Sequence, residues 1–104
     1  YQNTGRIDLA LQDIEQYLKL NPYNADLWYE KGRALRLLGK SQEAIGAYTE
    51  ALKYKNNNTG LFYYERSRTY TELNKMNEAK ADLQQAISFG FDKIEPAYRQ
   101  QFGI

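Results

Sequence analysis

The sequence contains no cysteine and no histidine. Without thiols, disulfides, thiolate nucleophiles, thiolate metal sites and iron–sulfur clusters are excluded. Without imidazole, the usual general base, the commonest zinc ligand and the near-neutral pH switch go too. No stretch approaches the roughly 18 uninterrupted apolar residues of a membrane span. Tyr1–Leu20 also lacks the basic start and apolar run of a secretory leader. An excess of one charge is missing as well. The 14 Lys and Arg against 13 Asp and Glu leave +1, so no long-range field announces a nucleic acid or membrane surface. What is present, 104 residues with 42% hydrophobic and 26% charged, suits one soluble globular domain. A core of that size buries roughly two-thirds of the unfolded surface.

The informative feature is a period. Gly5-Arg6-Ile7-Asp8-Leu9-Ala10 recurs as Gly39-Lys40-Ser41-Gln42-Glu43-Ala44 and again as Asn74-Lys75-Met76-Asn77-Glu78-Ala79. Ala10, Ile14, Tyr17 and Leu18 then correspond to Ala44, Tyr48, Ala51 and Leu52, and to Ala79, Leu83, Ala86 and Ile87. Apolar residues at i, i+4, i+7 and i+8 form one helical stripe. A second helical segment precedes each later copy. From Ala25 to about Leu38, Trp28, Ala34, Leu35 and Leu38 share a face; from about Gly60 to Leu73, Tyr63, Ser67, Tyr70 and Leu73 do so. Asn21-Pro22 closes the first copy. Gly39 and Asn74 suit a left-handed residue between antiparallel helices. Asn56–Gly60 reads as a turn, and Ser41 and Asn77 stand where N-capping residues belong. The unit is helix, tight turn, helix, loop.

These residues resemble the tetratricopeptide repeat family, whose signature is Trp-x2-Leu-Gly-x2-Tyr followed by Ala-x3-Phe, Ala and Pro. One unit reads Trp28-x2-Lys31-Gly32-x2-Leu35, Ala44-x3-Tyr48, Ala51, with Asn56 in the proline slot. The next reads Tyr63-x2-Arg66-Ser67-x2-Tyr70, Ala79-x3-Leu83, Ala86, with Phe91 in that slot. The first keeps its second helix, Ala10-x3-Ile14, with Tyr17 at the small position and Pro22 intact. Gly32 and Ser67, opposite Ala44 and Ala79, let paired helices approach closely. Lys31 and Arg66 depart from the apolar slot, so their stems are expected to snorkel or lie at an edge.

The resemblance implies an all-α fold, a right-handed superhelical stack of antiparallel helix pairs, an α-solenoid, with a C-terminal capping helix. Its expected divisions are 1–24, a truncated repeat; 25–58 and 59–93, complete repeats; and 94–104, the capping helix and tail. Tyr1–Thr4 correspond to the end of a missing first helix, so the chain reads as a piece of a longer array whose start is uncapped. Its exposed apolar face also offers a surface for a second copy, giving a homodimer. Glu95-Pro96 marks a helix start, and Ile94, Tyr98 and Phe102 fall on one face. That segment either caps the last repeat or folds into a groove.

Little catalytic chemistry remains. Glu43, Glu50, Glu72 and Glu78 fall on faces expected to be solvated. No Gly-x-x-x-x-Gly-Lys loop or Asp-x-Asp-x-Asp-Gly loop occurs, so no enzyme, cofactor or metal site is expected. Asn57-Asn58-Thr59 matches a glycosylation acceptor, a pattern that arises by chance.

In tetratricopeptide proteins the first helices line a concave surface that receives extended peptides. By register the resemblance places Tyr29, Arg33 and Arg36 of one unit, and Tyr64 and Arg68 of the next, on that surface, among Glu30, Glu65 and Glu72. Tyr29 with Tyr64, and Arg33 with Arg68, form two ladders. Tyr and Arg dominate binding hot spots, and Arg grips carboxylates through paired hydrogen bonds. A protein segment with an acidic group near an aromatic one suits the surface. Alternatively, Glu30–Arg33 and Glu65–Arg68 are i,i+3 surface pairs that need no ligand. The Lys and Asn set of chaperone-tail receptors is not reproduced. The leading expectation is a non-catalytic protein-interaction module. The alternative is an architectural or self-associating array end with no groove ligand. RNA stacking is disfavoured by the three glutamates, and no nucleic acid partner or direct membrane insertion is expected. Composition suits a cytoplasmic module and equally a soluble part of an anchored or periplasmic array.

Overall fold

A computed structural model describes residues 4–54 and 56–104. Tyr1–Asn3, read above as the end of an earlier helix, lie outside those residues, and Thr4 opens the first helix. Six helices follow in order: α1 (Thr4–Leu20), α2 (Ala25–Leu37), α3 (Ser41–Lys53), α4 (Thr59–Glu72), α5 (Met76–Ser88) and α6 (Pro96–Gln101). No strand occurs among the described residues. Each of α1 to α4 packs on the helix that follows it. The result is an α-solenoid of 40 × 34 × 20 Å, one layer of antiparallel pairs stacked along its length.

The turns within pairs share one construction. At the end of α2, Gly39 takes φ +79°, its N–H bonds the Arg36 carbonyl at 2.9 Å, and the Lys40 N–H bonds the Leu35 carbonyl at 2.8 Å. At the end of α4, Asn74 takes φ +59°, with matching bonds from Asn74 to Thr71 and from Lys75 to Tyr70. Both are Schellman closures, as the sequence leads one to expect at these two residues. Ser41 and Asn77, however, are not the caps. Lys40 and Lys75 hold the cap positions, with no side-chain cap bond. Each lysine ends one helix with its N–H and begins the next with its carbonyl, which accepts from Ala44 or Ala79 at 3.0 Å. That double use leaves no linker residue for a side-chain cap and pushes Ser41 and Asn77 into the first turn. Between pairs a conventional cap does form: the Asn24 Oδ1 accepts from the Leu27 N–H.

The small residues work as expected, with different partners in the two units. A Cβ on Gly32 would stand 2.5 Å from the Tyr48 ring, so the glycine admits that ring between the helices. In the next unit the Ser67 Oγ donates to the Ala79 carbonyl at 2.7 Å. Ala44, Tyr48, Ala51, Ala79, Leu83 and Ala86 are all fully buried. The corresponding positions of α1 are not. Ala10 is exposed, Ile14 is half-buried and Tyr17 is 58% exposed.

Lys31 snorkels, its ammonium 5.2 Å from the Trp28 ring centroid. Arg66 does not. It turns inward to grip Asp82 with two bonds of 2.7 and 2.8 Å, donates a third to the Thr49 hydroxyl, and lies between the Tyr63 and Tyr70 rings. Asp82 is only 5% exposed. Burial opposes the Arg66 charge, but hydrogen bonding and attraction to Asp82 outweigh it and raise its pKa. The cation is thus an internal tie between α4 and α5.

At the far end Glu95 caps α6, with Pro96 in its first turn. Ile94, Tyr98 and Phe102 form one face that packs with Phe91 and Ile104 on Tyr64, Leu83 and Ala86. The tail therefore covers the last pair.

Candidate functional site

The α2 and α4 helices both pack against α3, and side chains of the two meet beside it, Tyr29 stacking on Phe62 and Arg36 reaching Glu72. Arg36 joins them. Its Nε donates to the Glu72 Oε1 at 2.6 Å, while a terminal nitrogen stands 3.6 Å from the Glu65 Oε2. The second oxygen of Glu72 accepts from the Ser41 hydroxyl at 3.2 Å. Burial disfavours the Arg36 charge, yet the bond to Glu72 and attraction to both glutamates raise its pKa. Glu72 is therefore a bridging residue and not a freely solvated one. The expected i,i+3 pairs do not form: among the described residues Glu65 pairs with Arg36, and neither Glu30–Arg33 nor Glu65–Arg68 is an ion pair.

Arg33 lies one turn from Arg36, exposed and with no ion-pair or hydrogen-bond partner among the described residues. With Arg36, Leu37, Glu65 and Glu72 it lines a shallow depression of about 310 Å³. Tyr29 borders this face with half its ring inside. Its ring stacks on Phe62 with centroids 4.9 Å apart and lies 6.0 Å from Tyr48. Burial first, and then Glu65, raises its pKa, so its hydroxyl remains a neutral donor.

The tyrosine ladder is broken. Tyr64, placed on the open surface by register, is 6% exposed. The Phe91 ring covers it at 5.0 Å, and Tyr98 meets it edge-on at 6.0 Å. The physical reason is the tail: Tyr98 is anchored by a 2.7 Å hydrogen bond to Ser67 and brings its ring down on Tyr64. Arg68 remains at the rim of this aromatic cluster. It donates to the Tyr64 hydroxyl at 3.1 Å and sits 5.8 Å from both the Tyr64 and Tyr98 ring centroids. The structure thus brings Tyr29, Arg33 and Arg36 together, leaves Arg68 at the edge, and removes Tyr64 to the core.

Register did not reveal Glu65 and Glu72 as partners of Arg36, because the pairing runs between repeats. The available signal was their shared predicted face. Among the described residues no group of three or more acidic side chains converges to hold a metal ion, and no helix is long and apolar enough to cross a membrane.

Comparison with known proteins agrees with this architecture. A family model described as tetratricopeptide repeat matches residues 1–60, more than half of the chain, and a second with the same description matches residues 62–89. The uncharacterized protein MJ0572 of Methanocaldococcus jannaschii is 36% identical over 50 residues, 48% of this chain and 58% of that protein. Translocon at the outer membrane of chloroplasts 64 of Pisum sativum is 39% identical over 66 residues, 64% of this chain. The chain spans only 11% of the translocon protein. Among solved structures, MamA from MSR-1 superposes with a TM-score of 0.76 at 26% identity, over 82% of this chain and 48% of that one. A MamA structure from AMB-1 gives 0.75 at 26% identity, over 86% and 53%.

Proposed function

The chain belongs to the tetratricopeptide repeat family, and from that premise we propose that its α2–α4 face binds an extended segment of a partner protein. A protein-interaction module is the function that family and fold support. The reading of a non-catalytic binding face rests on one observation above all. Arg33 is an exposed guanidinium one turn from a half-buried tyrosine and forms no ion pair among the described residues, whereas the neighbouring Arg36 is already paired. A partner carboxylate would therefore bind Arg33 by paired hydrogen bonds without displacing a resident anion. An aromatic or apolar side chain beside that carboxylate would pack along Tyr29 and Leu37. Arg36 holds the face in shape, and Arg68 stands at its rim toward the tail, bonded to the Tyr64 hydroxyl. The divisions at 24, 58 and 93 are retained as the units that build it.

The experiment is selection from a displayed peptide library followed by titration of the enriched peptides. Acidic–aromatic sequences that bind the native chain and weaken at least about tenfold with Arg33→Glu support the reading. The exposed position of Arg33 lets the charge be reversed without disturbing the core, which circular dichroism checks. Enrichment that ignores Arg33, or no enrichment, assigns the face to an architectural role.

A further inference from the structure

Five of the chain's eight asparagines converge on one place, away from the α2–α4 face. The loop from α1 to α2 and the loop from α3 to α4 enclose a hollow of about 550 Å³. Asn21 and Asn24 line it from the first loop, and Asn56, Asn57 and Asn58 from the second. A hollow of that size holds a small molecule. Both loops are fixed in advance. The Trp28 Nε1–H donates to the Pro22 carbonyl at 2.9 Å, and the Asn24 N–H donates to the Asn21 carbonyl at 3.2 Å. In the second loop the Asn56 Oδ1 accepts from the Asn58 N–H at 2.7 Å and from the Thr59 hydroxyl at 3.2 Å. The Asn56 amide donates to the Tyr54 carbonyl at 2.9 Å. Tyr23 lines the same hollow, its ring propped edge-on by Tyr54 with centroids 5.5 Å apart, yet 75% exposed. A binding surface held this way loses little freedom on meeting a ligand.

Asn56 is spent on holding its loop, but the other amides have capacity left. Asn24 uses only its Oδ1, in the cap of α2. Asn21, Asn57 and Asn58 are exposed, and their side chains make no hydrogen bond among the described residues. Asp26, also exposed, forms no ion pair among them. The lining selects its ligand by exclusion. Among the described residues no lysine or arginine lines the hollow, and Asp26 repels an anion. With Asp26 the one carboxylate there, a divalent cation finds little charge. An apolar molecule would strand the amides without partners. What fits is a neutral ligand dense in groups that both donate and accept. Side-chain amides do both, the Asp26 carboxylate can accept from two adjacent hydroxyls, and the tyrosine ring offers an apolar platform. We propose that this hollow is a carbohydrate site. It takes a neutral oligosaccharide whose hydroxyls bond Asn21, Asn24, Asp26, Asn57 and Asn58 while the C–H face of one sugar ring packs on Tyr23. It shares no residue with the α2–α4 face and stands apart from the reading given to that face.

The test is binding to an array of neutral and anionic glycans, followed by titration of the best-retained neutral oligosaccharide, in free form, into the isotope-labelled chain. Inorganic phosphate and a capped neutral tripeptide are titrated in parallel. The side-chain amide signals of Asn21, Asn24, Asn57 and Asn58 are expected to shift together with the sugar and to saturate. Tyr23→Ala and Asn58→Ala should each weaken binding about tenfold or more. Both side chains are exposed and Asn58 makes no side-chain cap bond, so an unchanged melting temperature verifies that the fold is intact. Three results would overturn the proposal. The array retains no neutral glycan; phosphate or the tripeptide shifts those amides more strongly than any sugar; or sugar binding survives both substitutions.

Discussion

Gly32→Ala sets two magnitudes of opposite sign against each other. In an exposed helix the change stabilises by about 1 kcal/mol, because alanine loses less backbone freedom. Here the new Cβ would stand 2.5, 2.6 and 3.0 Å from three ring carbons of Tyr48. Tyr48 is fully buried, so its ring cannot swing into solvent. Overpacking of a closed core costs about 1–3 kcal/mol, and these distances place the cost toward the upper end. The expected net effect is a destabilisation of about 1–2 kcal/mol, a fall of roughly 5–10 °C in the melting temperature. Denaturant titration monitored by helicity measures it. The other repeat supplies the rescue, since in register with Gly32 and Tyr48 it carries Ser67 and the fully buried Leu83. Gly32→Ala combined with Tyr48→Leu should show favourable coupling of about 1 kcal/mol relative to the summed single changes. A Gly32→Ala protein as stable as the native one, or more so, would refute the close-approach argument.

Three further outcomes are expected. Asp82→Ala should destabilise by about 2–3 kcal/mol by stranding the buried Arg66, while Arg66→Met with Asp82→Leu should recover most of that in the same titration. Tyr98→Ala should cost about 2–3 kcal/mol and raise proteolysis of the tail, because it removes both the ring over Tyr64 and the bond to Ser67. Alkaline pH should weaken the fold. Burial raises the pKa values of Tyr48, Tyr29 and Tyr98 above the ordinary 10.0. The unfolded chain therefore binds fewer protons than the native one above that pH. Stability contributed by these neutral hydroxyls is complete below pH 10 and is lost as pH rises through the folded values, by at most about 1.4 kcal/mol per pH unit per group. Denaturant midpoints at pH 8 and 11 measure the loss, and Tyr48→Phe should reduce it.

What was legible in the sequence was whatever repeats. Gly39 and Asn74 were readable because a left-handed residue has few alternatives, and Gly32, Ser67, Ala44 and Ala79 because helix contact tolerates little volume. The candidate site was less readable. Tyr64 matched Tyr29 by register, but its cover comes from Phe91 and Tyr98 in a segment outside the repeat, so periodicity carried no information about its burial. Arg66 occupied an apolar slot and suggested an edge. The fact that reversed this was Asp82 on the neighbouring helix, a pairing between positions of different type that no period reveals. Ser41 and Asn77 looked like caps by residue type. The two-lysine turn chemistry, invisible to propensity, decided otherwise.

The Arg36 bridge gives the array a mechanical property. It ties α2 to α4 by charge, beside the layer where α2, α3 and α4 meet through apolar contact. Bending that opens the face stretches the bridge; bending that closes it compresses the guanidinium against two carboxylates. With Ser41 bracing Glu72 from the adjoining helix, the strut resists deformation from both directions. Its restoring force is electrostatic and partly exposed, hence weakened by salt, whereas the hydrocarbon contacts beneath it are not. The spring constant of the array is thus set by two materials in parallel, and ionic strength adjusts one of them without unfolding the other.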